Sequence, residues 1–169
     1  MTIGEANKIV KALIGEDDFY DVSDVIASYY GIAQRLIATT VCPIIKSVTL
    51  KCGKGVLLPD DLYRIKSISN GYVRTDKTHV DIDGEGEAKV WYYAYPTNIS
   101  DDTPDTYEFE LDPEAQSALP FYAAAQTVLA DSDMRRYYAF MDAFNSILAN
   151  VAESRTLSAK ITVVRTEEM

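Results

Sequence analysis

The sequence predicts an α+β fold: a small bundle of about four helices with an inserted antiparallel β-subdomain and an extended C-terminal tail. Apolar residues recur at helical spacing in residues 3–40 and again in residues 113–151. Between these regions lies a stretch rich in Val, Ile, Thr and Tyr and punctuated by glycines, which is typical of short strands joined by turns. The last residues return to a β-like pattern, which predicts the tail.

This pattern divides the chain into three parts. We expect residues 1–43 together with 106–156 to form the helical bundle domain, and residues 44–105 to form the inserted β-subdomain. Residues 157–169 form the extended C-terminal arm. The length of 169 residues is that of one domain with a small appended subdomain, and it is enough to bury a core without disulfides or metals.

The first helices have clear start and stop signals. Thr2 and Glu5 have the spacing of a capping box, which predicts a helix over about residues 3–14 that ends at Gly15. Residues 16–18 are expected to form an acidic loop. A second helix then begins at Asp21 and continues with one apolar face until Pro43 stops it.

The middle of the chain predicts about five or six strands. Asn70-Gly71 is a strong hairpin signal, and the acidic stretch Asp83–Gly86 predicts the tip of a second hairpin. The expected strands are 47–51, 56–58, 62–69, 72–74, 79–82 and 88–95.

A polar loop, Thr97–Asp105, separates the β-subdomain from the second pair of helices, and Tyr107–Leu111 adds one possible strand. Asp112-Pro113 predicts the start of a third helix that reaches Ala130, with a kink at Pro120. Asp133 then caps a fourth helix. Its expected core stripe is Met134, Tyr137, Tyr138, Met141, Phe144, Leu148 and Val151.

The net charge of −10 restricts the classes of partner. An acidic chain is a poor general nucleic-acid binder and is repelled by anionic membranes. The N-terminal residues do not have the pattern of a signal peptide, and no apolar stretch approaches the length of a membrane span. We therefore expect a soluble protein that is made in a cytoplasm and has no membrane partner.

Candidate catalytic and metal-binding residues are few. Cys42 and Cys52 have neither zinc nor redox spacing, so we interpret them as reduced thiols, with a disulfide as the alternative. His79 is interpreted as a surface histidine. The string from Asp81 to Glu87 has oxygen ligands at calcium-loop spacing, but Tyr92 stands where the loop needs a bidentate Glu. We expect neither a cofactor nor an enzyme.

The tyrosines suggest a role in assembly. There are 12, and six of them form adjacent pairs at residues 29–30, 92–93 and 137–138. Adjacent side chains point in different directions in a helix or a strand, so one ring of each pair tends outward. Exposed Tyr is enriched at protein–protein interfaces, although a ring that is half-buried with its hydroxyl in water is the alternative.

Three stretches, in their order and spacing, resemble the head–tail connector proteins of tailed bacteriophages, also called adaptor or neck proteins. The resemblance covers residues 1 to about 155. The stretches are Val56–Ile65 followed by Ile68, Val90–Pro96 followed by an acidic loop, and Leu111–Glu114 followed by Ala118–Ala125, Leu129–Asp131 and Tyr137-Tyr138.

This resemblance implies a structural virion protein rather than an enzyme. Such adaptors form a ring, commonly of about twelve subunits, beneath the portal at the capsid vertex. It implies that the C-terminal segment reaches the portal, that the β-part faces the tail or a second neck protein, and that DNA passes through the channel without specific binding. The protein would be assembled in a host bacterial cytoplasm and then lie in the virion neck.

The C-terminal arm is the expected portal-binding segment, because a β-like segment can add as a strand to a partner. Its candidate contact residues are Lys160, Ile161, Val163, Val164 and Arg165. Two other functions are open: a different neck or assembly component, such as a head-completion or tail-terminator protein, and a soluble protein-binding module.

Overall fold

The computed structural model describes the backbone of residues 1–167, and it describes all their side chains except those of residues 16, 17, 21 and 157–167. Within these residues the chain forms two compact units, Met1–Cys42 with Asn98–Met169, and Pro43–Thr97. We call them the helical unit and the β-unit. The elements are α1 (Ile3–Ile14), α2 (Glu16–Val22), α3 (Ile26–Thr40), β1 (Ile44–Leu57), β2 (Leu62–Ile68), β3 (Tyr72–Arg74), β4 (His79–Ala94), α4 (Pro113–Gln116), α5 (Leu119–Ala130) and α6 (Met134–Glu167). The α+β class is confirmed.

Helix α1 begins with the expected capping box. The Glu5 N–H donates to Thr2 Oγ1 at 3.2 Å, and the Thr2 N–H donates to Glu5 Oε2 at 2.9 Å. Gly15 ends the helix with a φ of 105°, a conformation that side chains other than glycine rarely adopt. The local sequence therefore sets both ends of α1.

The expected acidic loop and single second helix are wrong. Residues 16–18 begin helix α2, and the chain turns after Val22 before α3 starts at Ile26. The turn at Gly15 leaves the following N–H groups without helical partners, and acidic residues stabilise such an N-terminus. The acidic run thus favours a helix start as well as a loop.

Helix α5 lies at the centre of the helical unit, in contact with α1, α3 and α6. Ala123, Ala124 and Ala125 are fully buried, and their small side chains let the neighbouring helices approach closely. Larger side chains from α3 and α6, among them Tyr30 and Phe144, fill the remaining space. The helical core is therefore built around a run of alanines.

The third predicted helix is broken rather than kinked. Helix α4 ends at Gln116, and α5 starts at Leu119 with Pro120 in its first turn. A proline costs no hydrogen bond in the first turn, because the N–H groups there have no helical partner. The predicted strand at Tyr107–Leu111 is reduced to an isolated bridge between Thr2 and Glu108.

In the β-unit, β4 is the central strand of a four-stranded antiparallel sheet. β1 pairs along one edge of β4, and β2 and β3 pair one after the other along its other edge. Its core draws on both halves of β4, because Val80 and Ile82 cluster with Ala88 and Val90. Strand β4 therefore organises the whole unit.

Neither predicted hairpin is present. Asn70-Gly71 joins β2 to β3, which both pair with β4 and not with each other. The acidic stretch Asp83–Gly86 lies inside β4, where Gly84 and Gly86 have φ values of 100° and 87°. Positive-φ glycines permit a bulge in a continuing strand as well as a turn that reverses it. Likewise the predicted strands 47–51 and 56–58 fall in one strand, β1, which ends at Leu57.

The C-terminal arm is helical where a β-like conformation was expected, because α6 continues to Glu167. Extending an existing helix costs little even for β-branched residues, whereas a lone strand has no partner for its hydrogen bonds. The last buried side chain that the structure describes is Val151, which precedes the arm. The side chains of Lys160, Ile161, Val163, Val164 and Arg165 lie outside the described residues.

Candidate assembly surfaces

Helix α3 is apolar on two faces, of which it buries one. Tyr30 and Ile37 are fully buried, while Ile32 is 54% exposed and Leu36 is 40% exposed. Val25, directly before the helix, is 43% exposed and lies seven residues, about two turns, before Ile32. We call Val25, half-buried Tyr29, Ile32 and Leu36 the α3 surface. Contiguous apolar side chains of this kind are typical of protein interaction sites.

The sequence predicts one apolar face over this region, whereas α3 has two. Tyr30, Ala33 and Ile37 form one stripe at helical spacing, and the α3 surface forms a second stripe one residue earlier at each turn. Adjacent helical residues point about 100° apart, so both stripes cannot face one core. The apolar positions of this helix span more than one face, and this width is the sequence signal that one of the two stripes is exposed.

Residues 98–102, which we call the acidic loop, lie against the α3 surface. Ser28 Oγ donates to Asp101 Oδ1 at 3.3 Å, and Ile99 is buried beside α3. A Cβ on Gly31 would stand 3.0 Å from the Ile99 carbonyl oxygen, so glycine permits this close approach. Asp101 and Asp102 are exposed. A shallow pocket of about 300 Å³ separates helix and loop, lined by Ser28, Gly31, Ile32, Arg35, Asn98, Ile99 and Ser100.

One face of the β-unit sheet combines aromatic rings with cations. The Arg64 guanidinium carbon lies 4.5 Å from the centre of the Tyr93 ring, and Lys89 Nζ lies 5.2 Å from the centre of the Trp91 ring. Both cations are exposed and both rings are half-buried. Ile45, opposite Tyr93 on β1, is 48% exposed. We call these five residues the outer sheet face.

Charge is unevenly distributed between the two units. The β-unit has 8 Lys and Arg against 7 Asp and Glu, whereas the rest of the chain has 8 against 19. The net charge of −10 therefore belongs to the helical unit and its tail. Composition of the whole chain hides this asymmetry.

Two of the three tyrosine pairs match the half-buried alternative, and the third has one exposed ring. Tyr30 and Tyr92 are buried, and their neighbours Tyr29 and Tyr93 are half-buried. In the α6 pair, Tyr138 is 59% exposed. Met134 is also exposed, so the predicted α6 stripe is buried only in its later part, at Phe144, Leu148 and Val151.

A polar cluster joins α6 to the start of α4. Arg155 makes an ion pair with Asp112, and the buried Cys42 thiol donates to Asp112 Oδ2 at 3.3 Å. The hydrogen bond from Arg155 lowers the pKa of Asp112. Burial raises the pKa of the Cys42 thiol, which keeps it protonated at neutral pH. The cluster borders an open groove of about 600 Å³ and holds α6 to the bundle just before the C-terminal arm.

The other residues singled out from sequence have structural partners. His79 Nδ1 lies 3.1 Å from Asp76 Oδ2, and backbone hydrogen bonds from Thr78 and His79 contribute to lowering the pKa of Asp76 to about 2. Asp81 accepts from the Gly55 N–H at 2.8 Å, across the sheet.

The described side chains do not form a metal-binding cluster or a disulfide. Among the residues with described side chains, no three His, Cys, Asp or Glu stand together as metal ligands would. Cys42 and Cys52 are both free thiols, which confirms the interpretation from their spacing. Over the described part of the chain, no helix has the length and apolar character of a membrane span.

Comparison with known proteins identifies no family. No protein-family model matches the sequence, and no curated protein matches it.

Proposed function

We propose that the protein is a head–tail connector of a tailed bacteriophage, a structural adaptor that forms a ring between the capsid portal and the tail. The observation that carries this proposal is the α3 surface. Ile32 and Leu36 expose a helix face that is as apolar as a core face. A subunit that is buried on both sides by its neighbours gains from such a face, whereas a monomer does not.

The order of the segments along the chain also supports the proposal. The sequence stretches that resemble connectors lie within residues 1 to about 155, and the arm expected to reach the portal follows directly. Arg155 and Asp112 hold α6 to the bundle at this boundary. A subunit with this arrangement has a fixed body and a separate docking segment.

Deletion of Ser158–Met169 tests the docking role of the arm. The variant keeps Val151 and Arg155, so we expect an unchanged unfolding midpoint. Its circular dichroism spectrum should lose only the helical signal of the deleted end of α6. We expect the variant to lose co-sedimentation with the purified portal ring of the phage that encodes it. A second, full-length variant, Lys160→Gln with Arg165→Gln, keeps the length of the arm and removes two candidate contact residues, so it should bind the portal more weakly than the wild type.

Three results would change this account. If the deletion variant sediments with the portal as the full chain does, the arm does not dock to the portal. A full chain that binds a tail protein but not the portal would favour a head-completion or tail-terminator protein. Binding to neither would favour a soluble protein-binding module.

A further inference from the structure

We propose that the outer sheet face of one copy binds the acidic loop and α3 surface of a second copy, and that this contact joins neighbours in the assembly. The inference rests on the proposed function, because it names the partner of a surface within the ring. Its residues are Ile45, Arg64, Lys89, Trp91 and Tyr93 on one side, and Asp101, Asp102, Ile32 and Leu36 on the other.

The outer sheet face is continuous across three strands. Tyr93 on β4 stands opposite Ile45 on β1 and opposite Arg64 on β2. Two residues along β4, Trp91 lies on the same face, and Lys89 extends over it. The face therefore offers apolar contact area together with two exposed cations.

The cations on this face have no carboxylate partner among the described residues. Arg64 lies over Tyr93 and Lys89 over Trp91, within the range of cation–π attraction. A guanidinium that stacks on a ring keeps its N–H groups available for a carboxylate in its own plane. Arg64 is thus positioned to bind an incoming Asp or Glu.

The same geometry disfavours single-stranded nucleic acid as the occupant. Bases bind such platforms by stacking on the aromatic faces. Arg64 and Lys89 cover ring faces of Tyr93 and Trp91, so a base that stacked there would displace a cation. A carboxylate does not bind the ring face, so it can bind the cation while the cation stays stacked on the ring.

The helical unit offers a complementary patch. Asp101 and Asp102 are exposed, and Asp101 binds Ser28 one helical turn before the exposed Ile32, so acidic and apolar groups stand close together. Asp102 has no hydrogen-bond or ion-pair partner among the described residues, and Arg35 lines the pocket between α3 and the loop. The two patches match in kind, with apolar area facing apolar area and carboxylates facing cations.

A contact between two different patches is heterologous. Each copy then uses its sheet face on one neighbour and its helical patch on the other, and such contacts close into a ring when the rotation between copies permits. An acidic chain can self-associate in this way because its excess of acidic residues lies outside the β-unit. The charge asymmetry thus acquires a role in assembly.

Charge exchange on the full chain tests the contact. The first variant carries Arg64→Glu with Lys89→Glu, and the second carries Asp101→Lys with Asp102→Lys. The control carries Lys54→Glu with Lys77→Glu, which makes the same charge change at two other exposed positions of the β-unit. Association is measured by sedimentation velocity, alone and with the portal ring, at low and high salt.

We expect each of the first two variants to weaken self-association by about tenfold or more, because like charges then face each other. An equimolar mixture of the two variants restores an opposite-charge contact, so it should recover association. The control should associate as the wild type does. Association of the wild type should weaken at high salt, since the pairs lie at a solvent-accessible rim.

Other outcomes overturn the inference and locate the error. If the wild type assembles and the first variant assembles equally well, the sheet face is not the contact, and the proposed function stands. If the first variant instead lowers only the melting temperature of a monomer, the contact lies within one copy. If the wild type binds a fluorescent oligothymidylate and the first variant does not, the face is a nucleic-acid site. A wild type that never self-associates removes both proposals.

Discussion

The Tyr30 hydroxyl on α3 donates a hydrogen bond to Asn7 Oδ1 on α1 at 3.0 Å, and the Tyr30 side chain is fully buried. The Tyr30 ring also meets the Phe109 ring edge-on, with centroids 5.5 Å apart. One side chain therefore ties together α1, α3 and the segment before α4. Burial raises the pKa of the Tyr30 phenol far above its usual range.

Alkaline pH should destabilise the protein through Tyr30. In the unfolded chain Tyr ionises near pH 10, whereas in the folded chain the buried phenol keeps its proton. The free energy of unfolding therefore falls as pH rises above about 10, by up to about 1.4 kcal/mol per pH unit for this group. Urea unfolding at pH 8 and pH 11 measures the effect. Tyr30→Phe should lose less stability over this interval than the wild type.

Tyr138→Phe is the control for this comparison, because it removes the same hydroxyl from a side chain that is 59% exposed. Equal losses in the wild type and in Tyr30→Phe would show that Tyr30 does not set the alkaline limit. Tyr122, whose pKa burial also raises, would then be the next group to change.

The Gln116 side chain should contribute more to the free energy of unfolding than most polar side chains do. Its Nε2 donates to the carbonyls of Phe109 at 3.0 Å and Leu111 at 2.7 Å, and the side chain is buried. Gln116→Leu leaves both carbonyls without this donor, which should cost about 3 kcal/mol of the free energy of unfolding. Half-buried Gln126 on α5 provides the control, Gln126→Leu, which should cost less than about 1 kcal/mol. Equal costs in denaturant titrations would contradict the role of these bonds.

Phe144→Asp should unfold the helical unit. Phe144 is 2% exposed and packs on the Tyr122 ring at a centroid distance of 5.4 Å. An unpaired buried carboxylate costs several kcal/mol, which is comparable with the total stability of a domain. Asn145→Asp, one residue on and exposed, introduces the same charge and should fold. Circular dichroism and a thermal melt decide between them, and a cooperative melt for Phe144→Asp would place the core elsewhere.

Asp112 should make a small contribution to acid stability. Arg155 lowers the pKa of Asp112, so the stabilisation is present above the ordinary Asp pKa of about 3.9 and is lost as pH falls below it. The side chain is 58% exposed, so the effect should stay below about 1 kcal/mol. Asp112→Asn should therefore lose less stability than the wild type between pH 6 and pH 3. Asp142→Asn is the exposed control, and a variant curve that parallels the wild type would exclude the ion pair.

Signals that depend on a few neighbouring residues predicted the structure well. The capping box of Thr2 and Glu5, the end of α1 at Gly15, and the cap of α6 at Asp133 are all present. Each needs only a hydrogen bond or a backbone angle within one turn, so distant parts of the chain cannot easily override it. The burial of Phe144 and Leu148 followed from helical periodicity in the same way.

Features that depend on distant partners were predicted poorly. Asn70-Gly71 permits a hairpin, but β2 and β3 both gain more by pairing with β4, whose length only the folded sheet reveals. Ile32 and Leu36 are as apolar as core residues, and only the position of α5 determines which face of α3 is buried. The pairing of Arg64 with Tyr93 likewise depends on strand register, which the sequence alone left open.

The central claim is that the α3 surface makes this chain an assembly subunit that acts on the portal. The most direct measurement is the solution mass by light scattering, first alone and then with the purified portal ring, for the wild type, Ile32→Asp and Ala12→Asp. Ala12 is exposed on α1 and controls for the added charge. We expect the wild type and Ala12→Asp to form a species of about twelve copies, alone or on the portal, and Ile32→Asp to remain monomeric. A wild type that stays monomeric or dimeric and ignores the portal would contradict the account.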